Sequence, residues 1–280
     1  MGLYSESIRV SAATQVNGDH MSLLKKAKRK LKPIVKSLGL WQITRTKLAK
    51  KYLFGSGVEI GALHQPLRIP SGVRIRHVDH RSWEQNVESF PELDSREMVH
   101  VDFVTDGFTL EGVPSDEFDF LIANHVLEHT PDPIGALIQW RRVLKSSGIL
   151  FCALPKVNAS FDKGRQVTTY DHMAEDYRLY QSRNFDSIKE RNKDHYLEWL
   201  SVCEPAIFKR PPVSAEEMIE RVDKMLGNGD EIHFHTFTAA SVRDMFIQVG
   251  KAVLPGLRIL EIVETRKEVI AIIEIRNSTS

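Results

Sequence analysis

Cysteines and long apolar runs are both scarce in this 280-residue chain. The two cysteines, Cys152 and Cys203, are too few for a disulfide framework, so we expect a reducing compartment and a fold held by its core. No apolar run approaches the roughly 20 residues that a membrane-spanning helix needs. Residues 1–20 have neither a basic start nor an apolar centre, and therefore do not predict a signal peptide. These absences favour a cytoplasmic protein.

Acidic residues are absent from residues 21–51, which hold eleven Lys or Arg side chains. Residues 52–280 have 26 basic and 35 acidic side chains, a net charge of about −9. Apolar residues recur at roughly helical spacing between the lysines, which predicts a basic amphipathic arm over residues 21–50. Such an arm suits an anionic membrane or a nucleic acid, and it could equally pack on the body of the protein. The acidic body disfavours nucleic acid, because it would repel a phosphate backbone.

Short apolar runs alternate with helical patterns from residue 57 onward. The predicted strands are GVEIG (57–61), VRIRHVD (73–79), MVHVDF (98–103), FDFLIAN (118–124), ILFCALP (149–155), LRILEIVET (257–265) and EVIAIIEI (268–275). A helix is predicted within residues 131–148, where prolines precede the pattern and a glycine follows it. This alternation, with a hairpin at its end, predicts an α/β fold with a doubly wound, mostly parallel sheet.

The stretch GVEIGALHQPL, residues 57–67, places a glycine at the end of the first strand. Gly61 would let the backbone approach a ligand closely, and Asp79 at the end of the second strand would face a ribose diol. A GxGxxG motif is absent, and Pro66 and Pro70 leave no room for a normal phosphate-binding helix. The pattern predicts a ligand with a ribose and without a pyrophosphate, whose positive amino group could meet Glu59.

Residues 51–155 resemble the class I S-adenosylmethionine-dependent methyltransferases. The segments VEIGA, HVD, FDFLIANHVLEHTPDP and LKSSGILFCALP carry the resemblance, although the first glycine motif has one glycine where the family often has three. The resemblance implies S-adenosylmethionine as cofactor and a Rossmann-like sheet of seven strands, with an antiparallel strand in the final hairpin. The implied cofactor-binding residues are Glu59, Gly61 and Ala62 at the methionine part, Asp79 at the ribose, Asp102 near the adenine and Asn124 facing the methyl group.

About eighty residues after the fifth strand do not follow the alternation, and they predict an inserted, largely helical cap. The predicted division is a disordered or extraneous start (1–20), the basic arm (21–50), the cofactor-binding half (51–155), the substrate cap (156–236), and a helix and hairpin that complete the sheet (237–280). An insertion after the fifth strand would lie at the carboxyl ends of the strands, where open α/β sheets bind ligands. The sequence predicts no oligomeric state.

The segment HVLEH places His125, Glu128 and His129 on one face, if it is helical. The spacing also occurs in inverted zinc peptidases, but here it directly follows a buried strand of a methyltransferase-like array. Two interpretations remain open: residues that hold the site loop, or a metal site. Small-RNA 2′-O-methyltransferases and ubiquinone-pathway O-methyltransferases have a similar acid-x-x-Glu-His element that binds magnesium, with His125 here in place of the first acid. This resemblance implies Mg²⁺ or another divalent cation that assists attack by a substrate oxygen.

Histidines are further candidates, some of them in the predicted cap. We name His129, His172 and His235 as candidate catalytic bases, because imidazole titrates near neutral pH. His233 and His235 would share one face if their stretch is extended, and each of these histidines could instead be structural. Arg165 could bind an anionic or sugar acceptor.

The segment FDKGRQVTTYDHMAEDY after the fifth strand looks like that of bacterial methyltransferases associated with surface-polysaccharide enzymes. We therefore expect an O-methyltransferase that acts on a sugar or glycan hydroxyl, with residues 21–51 as a means of peripheral attachment to the inner face of the membrane. Alternative acceptors are an RNA 2′-hydroxyl, a phosphate or another small molecule. A non-catalytic, methyltransferase-like binding module is the alternative of a different class.

Overall fold

The computed structural model describes residues 39–209 and 213–276. The predictions for residues 1–20 and for residues 21–38 of the basic arm lie outside the described residues. The helices are α1 (Gly39–Tyr52), α2 (Trp83–Ser89), α3 (Pro133–Val143), α4 (Tyr170–Ser182), α5 (Phe185–Glu198), α6 (Glu204–Phe208), α7 (Ala215–Asn228) and α8 (Ala239–Ala252). The strands are β1 (Ser56–Ile60), β2 (Arg74–Asp79), β3 (Phe103–Val104), β4 (Phe118–Asn124), β5 (Leu144–Pro155), β6 (Leu257–Glu264) and β7 (Glu268–Ile275).

In the described part of the chain the strands form one seven-stranded sheet in the order β3-β2-β1-β4-β5-β7-β6. Strand β7 is antiparallel to its neighbours β5 and β6, and the other pairs are parallel. The prediction of a doubly wound, mostly parallel sheet with a helical insertion after the fifth strand is confirmed.

The central strand β4 is covered on both faces, as its continuous apolar run predicts. Leu121 packs in the same core layer as Trp140 of α3. Phe120 and Ile122 point to the opposite face and pack in the layer that contains Leu53, directly after α1. Because α1 packs on the sheet, the described part of the predicted arm belongs to the body of the protein.

The predicted third strand, residues 98–103, is wrong except at its end, because only Phe103–Val104 pair with β2. The backbone N–H of Val99 donates to the carbonyl of Leu63 in the loop after β1, so this stretch closes over that loop before joining the sheet edge. The loop itself, residues 61–73, contains no helix, as its two prolines predict.

Helices α4 to α7 follow β5. Tyr196 of α5, Met225 of α7 and Phe234 belong to a small separate apolar core, whereas Met173 of α4 packs in the main core of the sheet. A π-helical turn at Trp199–Cys203 joins α5 to α6. After α7 the chain returns to the sheet, where the backbone N–H groups of Phe234 and His235 donate to the carbonyl of Glu128. We call residues 229–238, between α7 and α8, the return segment; it holds the cap on the turn that follows β4. No helix within the described ranges is both long enough and apolar enough to cross a membrane.

Replacing Gly57 by alanine should destabilise the protein by about 3 kcal/mol, because overpacking a rigid core costs this much. A Cβ at Gly57 in β1 would lie 2.0 Å from the Phe120 ring, and that ring is fully buried. Urea unfolding followed by circular dichroism measures the change. Gly227→Ala is the matched control: a Cβ in that helical position meets no described atom within 4 Å, so stability should stay equal or rise by up to about 1 kcal/mol. Equal stability of the wild type and Gly57→Ala would contradict the packing argument.

Candidate functional site

The carboxyl ends of β1, β2 and β4 meet at one edge of the sheet. Gly61 follows β1 with φ +65°, a conformation that favours glycine, and its N–H donates to the carbonyl of Val78. A Cβ there would approach only Val126, at 3.7 Å, among the described atoms, so the backbone at Gly61 is open to a ligand. Ala62 begins a turn in which its carbonyl accepts from the N–H of Gln65. The glycine turn thus has the geometry that close approach requires.

Glu59 is almost fully buried in front of this turn. Its two carboxylate oxygens accept from the N–H of Leu67 at 3.0 and 3.1 Å, and Nδ2 of Asn124 donates to one of them at 3.3 Å. Burial raises the pKa of Glu59 to about 7. The Oδ1 atom of Asn124 is also buried, and no described residue donates to it. These polar groups fit a ligand with a positive amino group, which would supply both a donor and a compensating charge.

The predicted ribose acid, Asp79, ends β2 at the same edge. One of its oxygens, Oδ1, accepts from the N–H of Arg81, which orients the carboxylate. Asp102 does not lie at this edge: it precedes β3, its N–H donates to the His77 carbonyl, and its Oδ2 accepts from the His77 N–H. The assignment of Asp102 to the adenine is therefore not supported, because ligands bind beyond the carboxyl ends of the strands. Asp106, two residues after β3, is better placed, and sequence reasoning missed it.

His125 is separated from Glu128 and His129, so the predicted metal set is corrected. The HVLEH segment is no helix face: His125 is left-handed with φ +58°, and only a 3₁₀ turn at Leu127–His129 follows. Nε2 of His125 contacts Oε2 of Glu268 at 2.8 Å, and Arg45 binds the same carboxylate. The exposed His125 therefore lies against the buried Arg45–Glu268 ion pair at the start of β7.

Glu128 and His129 are instead joined by His233 from the return segment. We call these three side chains the Glu128 site. Nε2 of His129 and Nε2 of His233 each lie 4.0 Å from Oε1 of Glu128. Glu128 is fully buried, and neither of its carboxylate oxygens has a hydrogen-bond partner among the described residues. A buried carboxylate without partners is costly, and a divalent cation would compensate it.

The other ring nitrogen of each histidine is held in place. Nδ1 of His129 donates to the carbonyl of Ile232 at 2.9 Å, and Nδ1 of His233 lies 2.6 Å from Oδ2 of Asp162. These contacts leave both Nε2 atoms, each 4.0 Å from Oε1 of Glu128, available as ligand atoms, the arrangement found in histidine metal sites. Burial also lowers the pKa of His129, which favours the neutral ligand form. Two imidazoles and one carboxylate can hold a divalent ion and leave coordination positions open.

The remaining candidates have other positions. His172 and His235 lie in a separate group with Asp176 of α4 and His195 of α5, so His233 and His235 do not share a site. His235 has no exposed surface and cannot meet an acceptor as a general base in this structure. Arg165 is buried, and its guanidinium binds Asp162, Glu198 and the carbonyls of His233 and Phe234, which contradicts its assignment to an acceptor.

Sequence reasoning missed Asp162, Asp176 and His195. The spacing of His172 and Asp176, four residues apart on a helix, was a usable signal for one of the three. Asp162 and His195 could not be found this way, since Asp162 lies 71 residues from His233, and His195 lies on a different helix from Asp176.

Comparison with known proteins gives one match to a protein family. A profile described as "Methyltransferase domain" matches residues 55–202, more than half of the chain. No curated protein matches the chain. Among solved structures, a SAM-dependent methyltransferase from Aquifex aeolicus is 11% identical with a TM-score of 0.42, over 93% of this chain and 100% of its own. A possible histamine N-methyltransferase from Thermotoga maritima is 14% identical with a TM-score of 0.43, over 92% of this chain and 98% of its own.

Proposed function

Because the chain belongs to the methyltransferase-domain family, whose cofactor is S-adenosylmethionine, we propose that it O-methylates a hydroxyl of a sugar or glycan with the help of a divalent cation. The observation that carries the metal-assisted part is the buried, unpartnered carboxylate of Glu128 facing two histidine nitrogens. This geometry argues against a purely structural role for the HVLEH segment, since a framework glutamate would be hydrogen-bonded.

The cofactor site has residues suited to each part of the ligand. Glu59 and the open backbone at Gly61 would hold the methionine part, Asp79 the ribose and Asp106 the adenine. Asn124, at the end of β4, would lie beside the methyl group with its unpartnered Oδ1. Bound S-adenosylmethionine supplies an activated methyl group for an in-line displacement. The protein's contribution is alignment of the acceptor oxygen with that methyl group.

The Glu128 site would hold the acceptor. A divalent ion held there would act as a Lewis acid for neighbouring acceptor oxygens and lower the pKa of the attacked hydroxyl. Two imidazoles suit Mn²⁺, Fe²⁺ or Zn²⁺ better than Mg²⁺, which prefers oxygen ligands. His129 is half-exposed while Glu128 and His233 are buried, so the site has one accessible side from which an acceptor can approach.

A divalent ion at the Glu128 site could bind two neighbouring oxygens, and sugars carry such vicinal hydroxyls. The resemblance of residues 161–177 to bacterial methyltransferases associated with surface-polysaccharide enzymes also supports a glycan acceptor. The seven basic side chains of residues 21–38 would allow the enzyme to work at a membrane carrying a lipid-linked glycan. The net charge of about −9 over residues 52–280 disfavours RNA.

An acceptor screen with methyl-labelled S-adenosylmethionine tests the proposal. Nucleotide sugars, oligosaccharides, a single-stranded RNA and small phenols are each incubated with enzyme plus Mn²⁺, Mg²⁺ or EDTA. We expect label on a sugar hydroxyl, with at least tenfold more product in Mn²⁺ than in EDTA. Label on RNA alone, or equal rates with EDTA, would contradict the acceptor or the metal respectively.

Cofactor affinity should rise with pH because of Glu59. The pKa of Glu59 is raised to about 7 by burial, so below pH 7 the free protein holds the neutral acid. The positive amino group of the ligand binds the carboxylate form, so the affinity falls about tenfold for each pH unit below 7. We expect the affinity for S-adenosylhomocysteine to increase roughly eightfold from pH 6 to pH 7.5 in calorimetric titrations. Glu59→Gln should bind more weakly and lose this dependence. An unchanged pH profile in the variant would exclude Glu59 as its origin.

A further inference from the structure

A second group of histidine and carboxylate side chains lies between the cap helices and the return segment. We call it the His195 site; its members are His172 and Asp176 of α4, His195 of α5 and His235 of the return segment. Nε2 of His172 lies 3.3 Å from Oδ2 of Asp176, and Nε2 of both His195 and His235 lies 4.0 Å from the same oxygen. The ligand atoms of the first three residues all lie within 4.8 Å of one another.

The atoms that converge in the His195 site lack partners. Nε2 of His172, Nε2 of His195 and Oδ2 of Asp176 are buried, and within the described ranges none of them makes a hydrogen bond. Isolated buried atoms without partners are rare in folded proteins, and three that face one point indicate a partner common to all. A cation can satisfy two imidazole lone pairs and a carboxylate oxygen at once.

The surroundings orient these atoms as they do in metal sites. Nε of Arg191 donates to Oδ1 of Asp176 at 2.5 Å, which leaves Oδ2 directed inward. Within the His195 ring, Nε2 is the buried nitrogen without a partner among the described residues, so it is the atom available to the centre. Nε2 of His235 donates a long hydrogen bond of 3.4 Å to the carbonyl of Pro131, and its Nδ1 is the ring atom without a partner among the described residues. Nε2 would therefore have to give up this weak bond in order to bind an ion.

The three imidazole rings surround a common point and are not stacked. Their centroids are 5.1 to 5.7 Å apart, and the rings meet edge to face at interplanar angles of 73° to 84°. In a tetrahedral zinc site with bonds of about 2.0–2.1 Å, neighbouring ligand atoms lie roughly 3.3 Å apart. The carboxylate-to-nitrogen distances of 3.3 to 4.0 Å are close to this value. The ligand atoms of His172, Asp176 and His195 lie up to 4.8 Å apart and His235 stands outside that set, so a bound ion would draw the imidazoles inward by about 1 Å or more.

We propose that the His195 site binds one zinc ion in a closed, tetrahedral arrangement of three imidazoles and one carboxylate. All four ligands come from the protein, as in structural zinc sites, which have no open position for a substrate. His172 and His235 are thereby metal ligands and not general bases.

The ion would add a link between α4, α5 and the return segment, which already contact one another through the Arg191–Asp176 ion pair and the packing of Tyr196 on Phe234. Because the return segment also hydrogen-bonds to the Glu128 carbonyl and carries His233, zinc at the His195 site would fix one ligand of the Glu128 site. Zinc would therefore hold the cap against the sheet, and this role is independent of the acceptor.

Metal binding to the full-length chain tests the proposal. The chain is stripped with a chelator, reloaded with zinc, desalted and analysed for bound metal, and Co²⁺ is used as a spectroscopic probe of geometry. We expect a tightly bound equivalent with the intense visible absorption of tetrahedral Co²⁺, and a melting temperature on the order of 5–10 °C lower after chelation. His172→Ala and His195→Ala should each weaken zinc binding at least about 100-fold and abolish the tetrahedral spectrum.

Two further variants separate this site from its neighbour. Glu128→Gln should keep the tetrahedral spectrum, and His100→Ala, a change at an exposed histidine, should behave as the wild type. His172 is partly exposed, so its alanine variant should fold even if His195→Ala does not, and circular dichroism checks this. Absence of retained zinc in the wild type, a spectrum of higher coordination number, or an unchanged spectrum in folded His172→Ala would each overturn the proposal.

Discussion

Replacing Asp79 by alanine should weaken S-adenosylhomocysteine binding by about 100-fold or more. The carboxylate ends β2, is nearly buried, and is oriented by the N–H of Arg81. Two hydrogen bonds from ribose hydroxyls to a charged group are worth roughly 3 kcal/mol or more, which corresponds to at least about 100-fold in the dissociation constant. Calorimetric titration of the wild type and the variant at pH 7.5 measures the loss.

Asp102→Ala is the matched control for Asp79→Ala. Asp102 lies before β3 with its carboxylate on the backbone of His77, so cofactor affinity should change by less than about threefold. Asp106→Asn should weaken binding roughly tenfold, because Oδ1 can still accept from Phe108 and Thr109 while the other oxygen becomes a donor. A large loss in Asp102→Ala with none in Asp106→Asn would restore the assignment made from sequence.

The sheet could be predicted because its strands are continuous apolar runs with clear ends. Strand β4 occupies residues 118–124, as the pattern FDFLIAN predicts, and β7 occupies residues 268–275. The third strand could not be predicted correctly. An apolar pattern at a sheet edge does not distinguish residues that pair with a strand from residues that pack on a loop. Met98 and Val101 are buried without belonging to a strand, which reproduces the same pattern.

The cofactor half of the site was easier to predict than the metal half. Glu59, Gly61 and Asp79 follow strand ends, whose position in a parallel sheet is fixed by the topology. The HVLEH segment was misinterpreted because a left-handed residue and a 3₁₀ turn replace the expected helix. His125 then turns toward Glu268, 143 residues away, a partner that no local spacing reveals. The third member of the Glu128 site, His233, likewise arrives from the return segment.

Replacing Glu128 by glutamine should reduce methyl transfer by about 10³-fold while cofactor affinity stays within about threefold of the wild type. The amide conserves volume but removes the negative charge that would hold a divalent ion between His129 and His233. Initial rates on the acceptor found by screening, in the presence of Mn²⁺, measure the loss. His125→Ala is the control within the same segment, and its effect on the rate should be small because His125 contacts Glu268 instead.

The stability of Glu128→Gln separates a metal ligand from a framework residue. Glu128 is fully buried, and neither carboxylate oxygen is hydrogen-bonded to any described residue, so its charge is a burden on the metal-free fold. A neutral amide should relieve this and raise the metal-free stability by about 1–2 kcal/mol. Mn²⁺ should then raise the melting temperature of the wild type and leave that of Glu128→Gln unchanged. Any contribution of the His195 site is removed by introducing His172→Ala into both proteins.

If the glutamine variant is less stable than the wild type without metal, Glu128 holds the loop after β4 through its charge. Such a result would favour the structural interpretation of HVLEH. If it is more stable and inactive, the protein retains a destabilising carboxylate because catalysis requires it.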